Sequence, residues 1–155
     1  MSFVIAGLDP QPFRHLYGLG DADLANEGVI RMRADAKPGF PCRVTLEDAE
    51  PGEDLLLLNY EHLPVATPYR SRHAIFVRDG AEQAAHYEGE VPEQLRRRLL
   101  SVRAFDADGM MAYADVLDGT DLAERIEGFF ADPAVAYLHV HNAKRGCFAA
   151  RVDRG

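Results

Sequence analysis

The sequence predicts an α+β fold: a single domain with a mixed, mainly antiparallel β-sheet and helices packed on one side. Strand-like segments outnumber helical ones, and alternating runs on either side of Ala107-Asp108-Gly109 and at the C-terminus read as hairpins. Proline and glycine fall between periodic segments instead of forming a linker block, so the 155 residues are read as one globular domain, 1–155.

Taken in order, Phe3 to Leu8 reads as an edge strand, Pro12 to Tyr17 and Asp21 to Asn26 as short helical turns, and Val29 to Ala34 as a half-exposed strand. Lys37-Pro38-Gly39-Phe40-Pro41 interrupts regular structure, and Arg43 to Leu46 resumes an extended pattern. Four consecutive leucines from Leu55 open the strongest strand, which runs to His62 and is expected to be central and buried on both faces. Arg72 to Arg78 is the next strand, closed by Asp79-Gly80. Pro92 to Leu100 reads as a helix, with Arg96-Arg97-Arg98 as a solvated face near its end. Ser101 to Asp106 and Met110 to Leu117 form the hairpin around Ala107-Asp108-Gly109, and Thr120 is expected to cap a helix that ends at Asp132-Pro133.

Composition excludes several functions. With 47% hydrophobic and 27% charged residues, the balance is that of a soluble protein, and no apolar run approaches the ~20 residues that span a bilayer. A net charge of −8 opposes nucleic-acid binding, which draws its affinity from cations that neutralise phosphates. The first residues lack the charged and apolar regions of a secretory signal, so a cytoplasmic location is expected. Cys42 and Cys147, the two cysteines, are then expected to stay reduced.

The final hairpin concentrates the chemistry. His139, His141, Asn142, Arg145 and Cys147 lie within a few residues of one another. Two registers are open: a three-residue loop, Lys144-Arg145-Gly146, sets His141 opposite Ala149 and is preferred, because a four-residue loop would mix the histidines with Phe148 and Val152. One face then carries Leu138, Val140, Phe148, Ala150 and Val152, and the other His139, His141, Cys147 and Arg151. Cys147 would sit diagonal to His141 at ~7 Å between backbone positions.

Other groups join the candidate list. In Pro41-Cys42-Arg43 a guanidinium neighbours a thiol and would lower its pKa. Glu61 and His62 point to opposite faces of their strand, Asn59 siding with Glu61 and Tyr60 with His62. The segment from Pro64 to His73 carries Tyr69, Arg70, Ser71 and Arg72, donors suited to a carboxylate or phosphate. No metal ligand is assigned, although His139 and His141 with Cys147 and Cys42 or His62 would supply a donor set. No phosphate-binding glycine loop, dinucleotide fingerprint or nucleophile elbow is present, and no cofactor is named.

Pro41-Cys42-Arg43, Leu58-Asn59-Tyr60-Glu61-His62, Thr67-Pro68-Tyr69-Arg70-Ser71, Ala74-Ile75-Phe76-Val77-Arg78 and His139-Val140-His141-Asn142-Ala143-Lys144-Arg145-Gly146-Cys147 together resemble the bacterial domain-of-unknown-function family 1203. The resemblance spans essentially the whole chain. It implies a small bacterial, cytoplasmic protein and carries no catalytic role for any residue.

Three functional readings follow. The first is a site for an anionic small molecule, catalytic or purely binding, held by Arg43, Tyr69, Arg70, Ser71, Arg72, Asn142 or Arg145, with His139 or His141 moving a proton and Cys42 or Cys147 as nucleophile. The second is a noncatalytic interaction domain, including a homodimer. The third is a transition-metal-binding protein.

Overall fold

Two antiparallel sheets carry the fold in the computed structural model, which describes residues 2–155. The strands are β1 (Phe3–Ala6), β2 (Ile30–Arg33), β3 (Asp54–Leu63), β4 (Ser71–Arg78), β5 (His86–Glu88), β6 (Leu99–Asp106), β7 (Met111–Asp118), β8 (Val135–Asn142) and β9 (Phe148–Arg154). The helices are α1 (Asp21–Asn26), α2 (Glu93–Arg96) and α3 (Leu122–Phe130), with 3₁₀ turns at Gln11–Leu16 and Gly119–Asp121. One sheet has six strands in the order β5-β1-β9-β8-β6-β7, and the other has three in the order β2-β3-β4. The α+β expectation holds, with two sheets in place of one.

The larger sheet buries one face under α3. Leu122, Ile126, Phe129 and Phe130 recur at helical spacing on α3 and share a core with Leu100, Val102 and Ala104 of β6, Leu138 and Val140 of β8, and Ala150 and Val152 of β9. Each fully buried large side chain of this kind contributes ~1.5–3 kcal/mol relative to exposure. The smaller sheet buries Leu56 and Leu58 of β3 and Ile75 and Val77 of β4 against Phe13, Leu16, Leu24, Cys42 and Val44. On the opposite face of β3, Leu55 is buried with Ala34, Ala49, Phe40 and Phe76, whereas Asn59 and Glu61 face outward and meet Arg72.

Several expectations need correction. β1 is not an edge strand, because the three-residue β5 pairs along its free side. Arg43 to Leu46 is not a strand. Its backbone turns and ties the two sheets together, with Arg43 N–H donating to Phe76 O, Leu8 N–H to Arg43 O and Ala85 N–H to Val44 O. The helix expected from Pro92 to Leu100 stops at Arg96, since Arg97 and Arg98 leave it to hold the buried Asp48 and β6 begins at Leu99. Arg96 and Arg97 stay exposed as expected, but Arg98 is an anchor: its guanidinium donates to both Asp48 oxygens, at 2.6 and 3.1 Å.

Thr120 does not cap α3. It lies inside the 3₁₀ turn that precedes the helix, and Asp121 occupies the cap position without a side-chain bond. Close packing dictates this entry, because Gly119 N–H donates to Arg98 O and a Cβ on Gly119 would meet Leu95 O at 1.8 Å.

Candidate functional site

The inner face of the smaller sheet changes character toward one end. Leu56 pairs with Val77 and Leu58 with Ile75, but the next pair is Tyr60 with His73, and a bulge follows between Tyr60 and Leu63. His62 and His73 thus project from the face that carries the leucines. Opposite them is the free face of the larger sheet, where Ser101 pairs with His141, Arg103 with His139 and Phe105 with Tyr137. The two sheets meet there through imidazoles.

The terminal hairpin supplies His139 and His141 from β8. Its register matches the expected one through Leu138↔Val152, His139↔Arg151 and Val140↔Ala150, then slips by one residue so that His141 faces Phe148. Asn142 and Cys147 close the tip, with Asn142 N–H donating to Cys147 O, and Gly146 takes φ 78°. The expected three-residue loop is thus replaced by a longer one, and Ala149 is the extra residue of a bulge. Phe148 moves to the histidine face as a result. Its ring stacks on His62 at 4.8 Å and 12° and lies edge-on to His139 at 5.0 Å.

His62 is the hub of the cluster. Its Nδ1 lies 3.2 Å from His139 Nδ1 and its Nε2 lies 2.6 Å from His73 Nδ1. His141 Nδ1–H donates to Gly146 O at 2.9 Å, which fixes the tautomer and leaves the Nε2 lone pair bare. Among the described residues, that Nε2 is buried with no hydrogen-bond partner. His62, His139 and His141 each present one ring nitrogen, all within 4.8 Å of one another. They are 8%, 1% and 1% exposed, so water does not solvate them.

Burial keeps these rings neutral. Desolvation, then the neighbouring imidazoles and Arg103, lowers His62 to about 4 and His139 to about 2. Desolvation lowers His141 to about 3 against the opposing pull of its bond to Gly146 O. His73 is lowered for the same first reason, with Arg103 adding to it. At neutral pH the cluster is a set of uncharged nitrogen donors.

A guanidinium borders this set. Arg103 is half-buried, its Nε–H donates to Ser101 Oγ at 3.4 Å, and among the described residues no carboxylate pairs with it. Tyr69, Phe105 and Tyr137 wall the adjoining side, Phe105 stacking on Tyr137 at 5.5 Å and meeting Tyr69 edge-on at 6.3 Å.

The cysteines and most of the expected anion-binding arginines lie elsewhere. Cys147 is outside the ring-nitrogen group, its Sγ accepting from Arg43 Nη2 at 3.1 Å and Asn142 Nδ2 at 3.7 Å. The register slip that brought Phe148 in turned the thiol away. Arg43 is 2% exposed, and its Nε and Nη1 donate to Phe148 O and Pro41 O, at 2.8 and 2.6 Å. It stitches the hairpin to the inter-sheet turn and has no route to a solute. Cys42 is buried and accepts N–H groups from Thr45 and Arg78. Arg70 and Arg72 bind Glu61 on the outer face, Ser71 Oγ–H donates to Tyr69 O, Arg145 is exposed at the tip, and Asn142 Oδ1 is buried unpaired.

The site also holds residues that the sequence reading did not place in it. Arg103 and Ser101 are not among the sequence candidates, although the alternation Ser101-Val102-Arg103-Ala104-Phe105 puts all three odd positions on the face opposite the helix-covered one. His73, the last residue of the Pro64 to His73 segment and the second of the predicted strand Arg72 to Arg78, is carried inward by the long β3–β4 ladder.

Fold and cluster together define an α+β domain with a buried, all-imidazole donor set where two antiparallel sheets meet. Residues 39–154 match the family described as Protein of unknown function (DUF1203), and the chain belongs to that family. The matched span includes every member of the histidine cluster and Arg103. No curated protein and no solved structure matches the chain.

Proposed function

We propose that this chain is a transition-metal-binding protein whose ion is held by His62, His139 and His141. The carrying observation is three buried imidazoles, each with a ring nitrogen within 4.8 Å of the others, beside a His141 Nε2 that has no hydrogen-bond partner among the described residues. Zinc–imidazole bonds of ~2.0–2.1 Å in tetrahedral geometry set neighbouring nitrogens roughly 3.3 Å apart. His62 Nδ1 and His139 Nδ1, at 3.2 Å, already have this spacing. The outer nitrogens fit as well: His141 Nδ1–H on Gly146 O and His62 Nε2 on His73 are the kind of contacts that orient metal-bound imidazoles.

The ligand type favours zinc, copper, nickel or iron over magnesium or calcium, which take oxygen donors. Depressed basicity supports the same reading, because no proton has to be expelled before a metal binds at neutral pH. Three protein ligands leave at least one position for an outside molecule, and an ion so held acts as a Lewis acid. The thiol-nucleophile reading loses support, since Cys147 and Cys42 are both engaged away from the imidazoles.

Elemental analysis of protein purified without chelator, followed by cobalt(II) or zinc reconstitution, tests the proposal. The expected result is one ion per chain, with affinity lowered by more than about 100-fold in His139→Ala. Protein that takes up neither ion, or a His139→Ala variant that binds as the parent does, overturns it.

A further inference from the structure

We infer that the outside ligand of this centre is a small oxyanion, a carboxylate or phosphate, held between the ion and the Arg103 guanidinium. This rests on the metal reading above and names what the centre would take. Charge is the first reason. Three neutral imidazoles leave a divalent ion with its full charge, and the nearest strand contributes a further cation in place of an acid. Acidic groups on the surrounding elements are already committed. Glu61 faces outward with Arg70 and Arg72, and Asp153 pairs with Arg151, which lies over the Tyr137 ring at 4.2 Å.

The second reason is unused donor capacity. A guanidinium has five N–H groups, and Arg103 directs one to Ser101 Oγ at 3.4 Å. Burial of an arginine without an acid is costly, and desolvation alone lowers its basicity here. A forked oxyanion would offset that cost and match the planar donor edge.

Position is the third. Arg103 sits directly across the β6–β8 ladder from His139, and Ser101 directly across from His141, so their side chains share the histidine face. His73 and Arg103 are the half-buried members of the cluster, whereas His62, His139 and His141 are buried, so Arg103 lies on a partly exposed side of the set. The Tyr69, Phe105 and Tyr137 rings pack on one another, and Phe105 and Tyr137 also meet the His139 ring, so the flank of the cluster next to Arg103 is apolar.

Cobalt(II)-loaded protein titrated with oxalate and, separately, with inorganic phosphate tests the inference through the cobalt visible spectrum. The parent protein is expected to respond to at least one of the two, and the responding anion identifies the source chemistry. Arg103→Met is expected to keep its cobalt and to weaken that response by about tenfold or more, with Arg103→Lys intermediate because it restores charge without the fork. Should Arg103→Met fail to fold, Arg103→Lys still separates charge from geometry, and an affinity equal to the parent's counts against the fork. Cobalt binding with no response to either anion, or with a response unchanged in both variants, overturns this inference and leaves the metal reading standing. Absence of cobalt uptake overturns both.

Discussion

Two buried polar clusters sit back to back on the last hairpin, and Phe148 belongs to both. Its carbonyl accepts from Arg43 Nε, while its ring stacks on His62. Around Arg43 each nitrogen has an acceptor, namely Phe148 O, Pro41 O and Cys147 Sγ. Around His62 the rings meet nitrogen to nitrogen, and His141 Nε2 has no partner among the described residues. Asn142, which donates to the same Cys147 Sγ, also keeps a buried Oδ1 without a partner among the described residues, so what sets the histidine side apart is that its orphan is a ring nitrogen beside two others that could share a metal ion. The difference separates a structural lock from a place where chemistry is done.

Breaking the lock should give the largest change in stability of any of these substitutions. Arg43→Met removes all three bonds and leaves two buried carbonyls without that donor, so urea unfolding should show a loss of about 2–4 kcal/mol. The folded fraction should still take up metal with the parent's stoichiometry. Loss of metal binding at full stability would instead place Arg43 in the functional cluster.

The histidine side should respond to acid. Its folded-state pKa values lie below the ordinary value of 6.5, at about 4 for His62, about 3 for His141 and about 2 for His139. The unfolded chain therefore binds more protons than the folded one below about pH 6.5, and stability present above that pH is lost as pH falls toward those folded values. Urea titrations at pH 7.5 and 5 should show this loss, and His141→Phe should flatten it. An equally steep pH dependence in that variant would assign the acid sensitivity to other groups.

The smallest effect is expected at the thiol. A serine hydroxyl also accepts from Arg43, so Cys147→Ser should cost at most about 1 kcal/mol and leave metal affinity unchanged. A large drop in affinity, read by chelator competition, would bring Cys147 into the donor set and erase the division between the clusters.

Parts of this arrangement were legible in the sequence because they depend on strand alternation. The leucine run of β3, the His139-x-His141 spacing and the opposed directions of Glu61 and His62 each follow from a period of two. What escaped was set by local departures from that period and by long-range pairing. A bulge at Ala149 exchanged Phe148 for Cys147 beside the histidines. The meeting of β3 and β4 with β8 depends on how two sheets stack, which no short segment encodes. Arg98 looked solvated because Asp48, its buried partner, lies far back in the chain.

The extra residue at Ala149 gives β9 two phases. Beyond it, Ala150 and Val152 keep step with the helix-covered interior, while Phe148 before it keeps step with the imidazoles. Side-chain parity at the ribbon's tip is thereby decoupled from parity along its stem. Chain length in the tip can change what flanks His62 while the stem pairing of Leu138 with Val152 stays as it is.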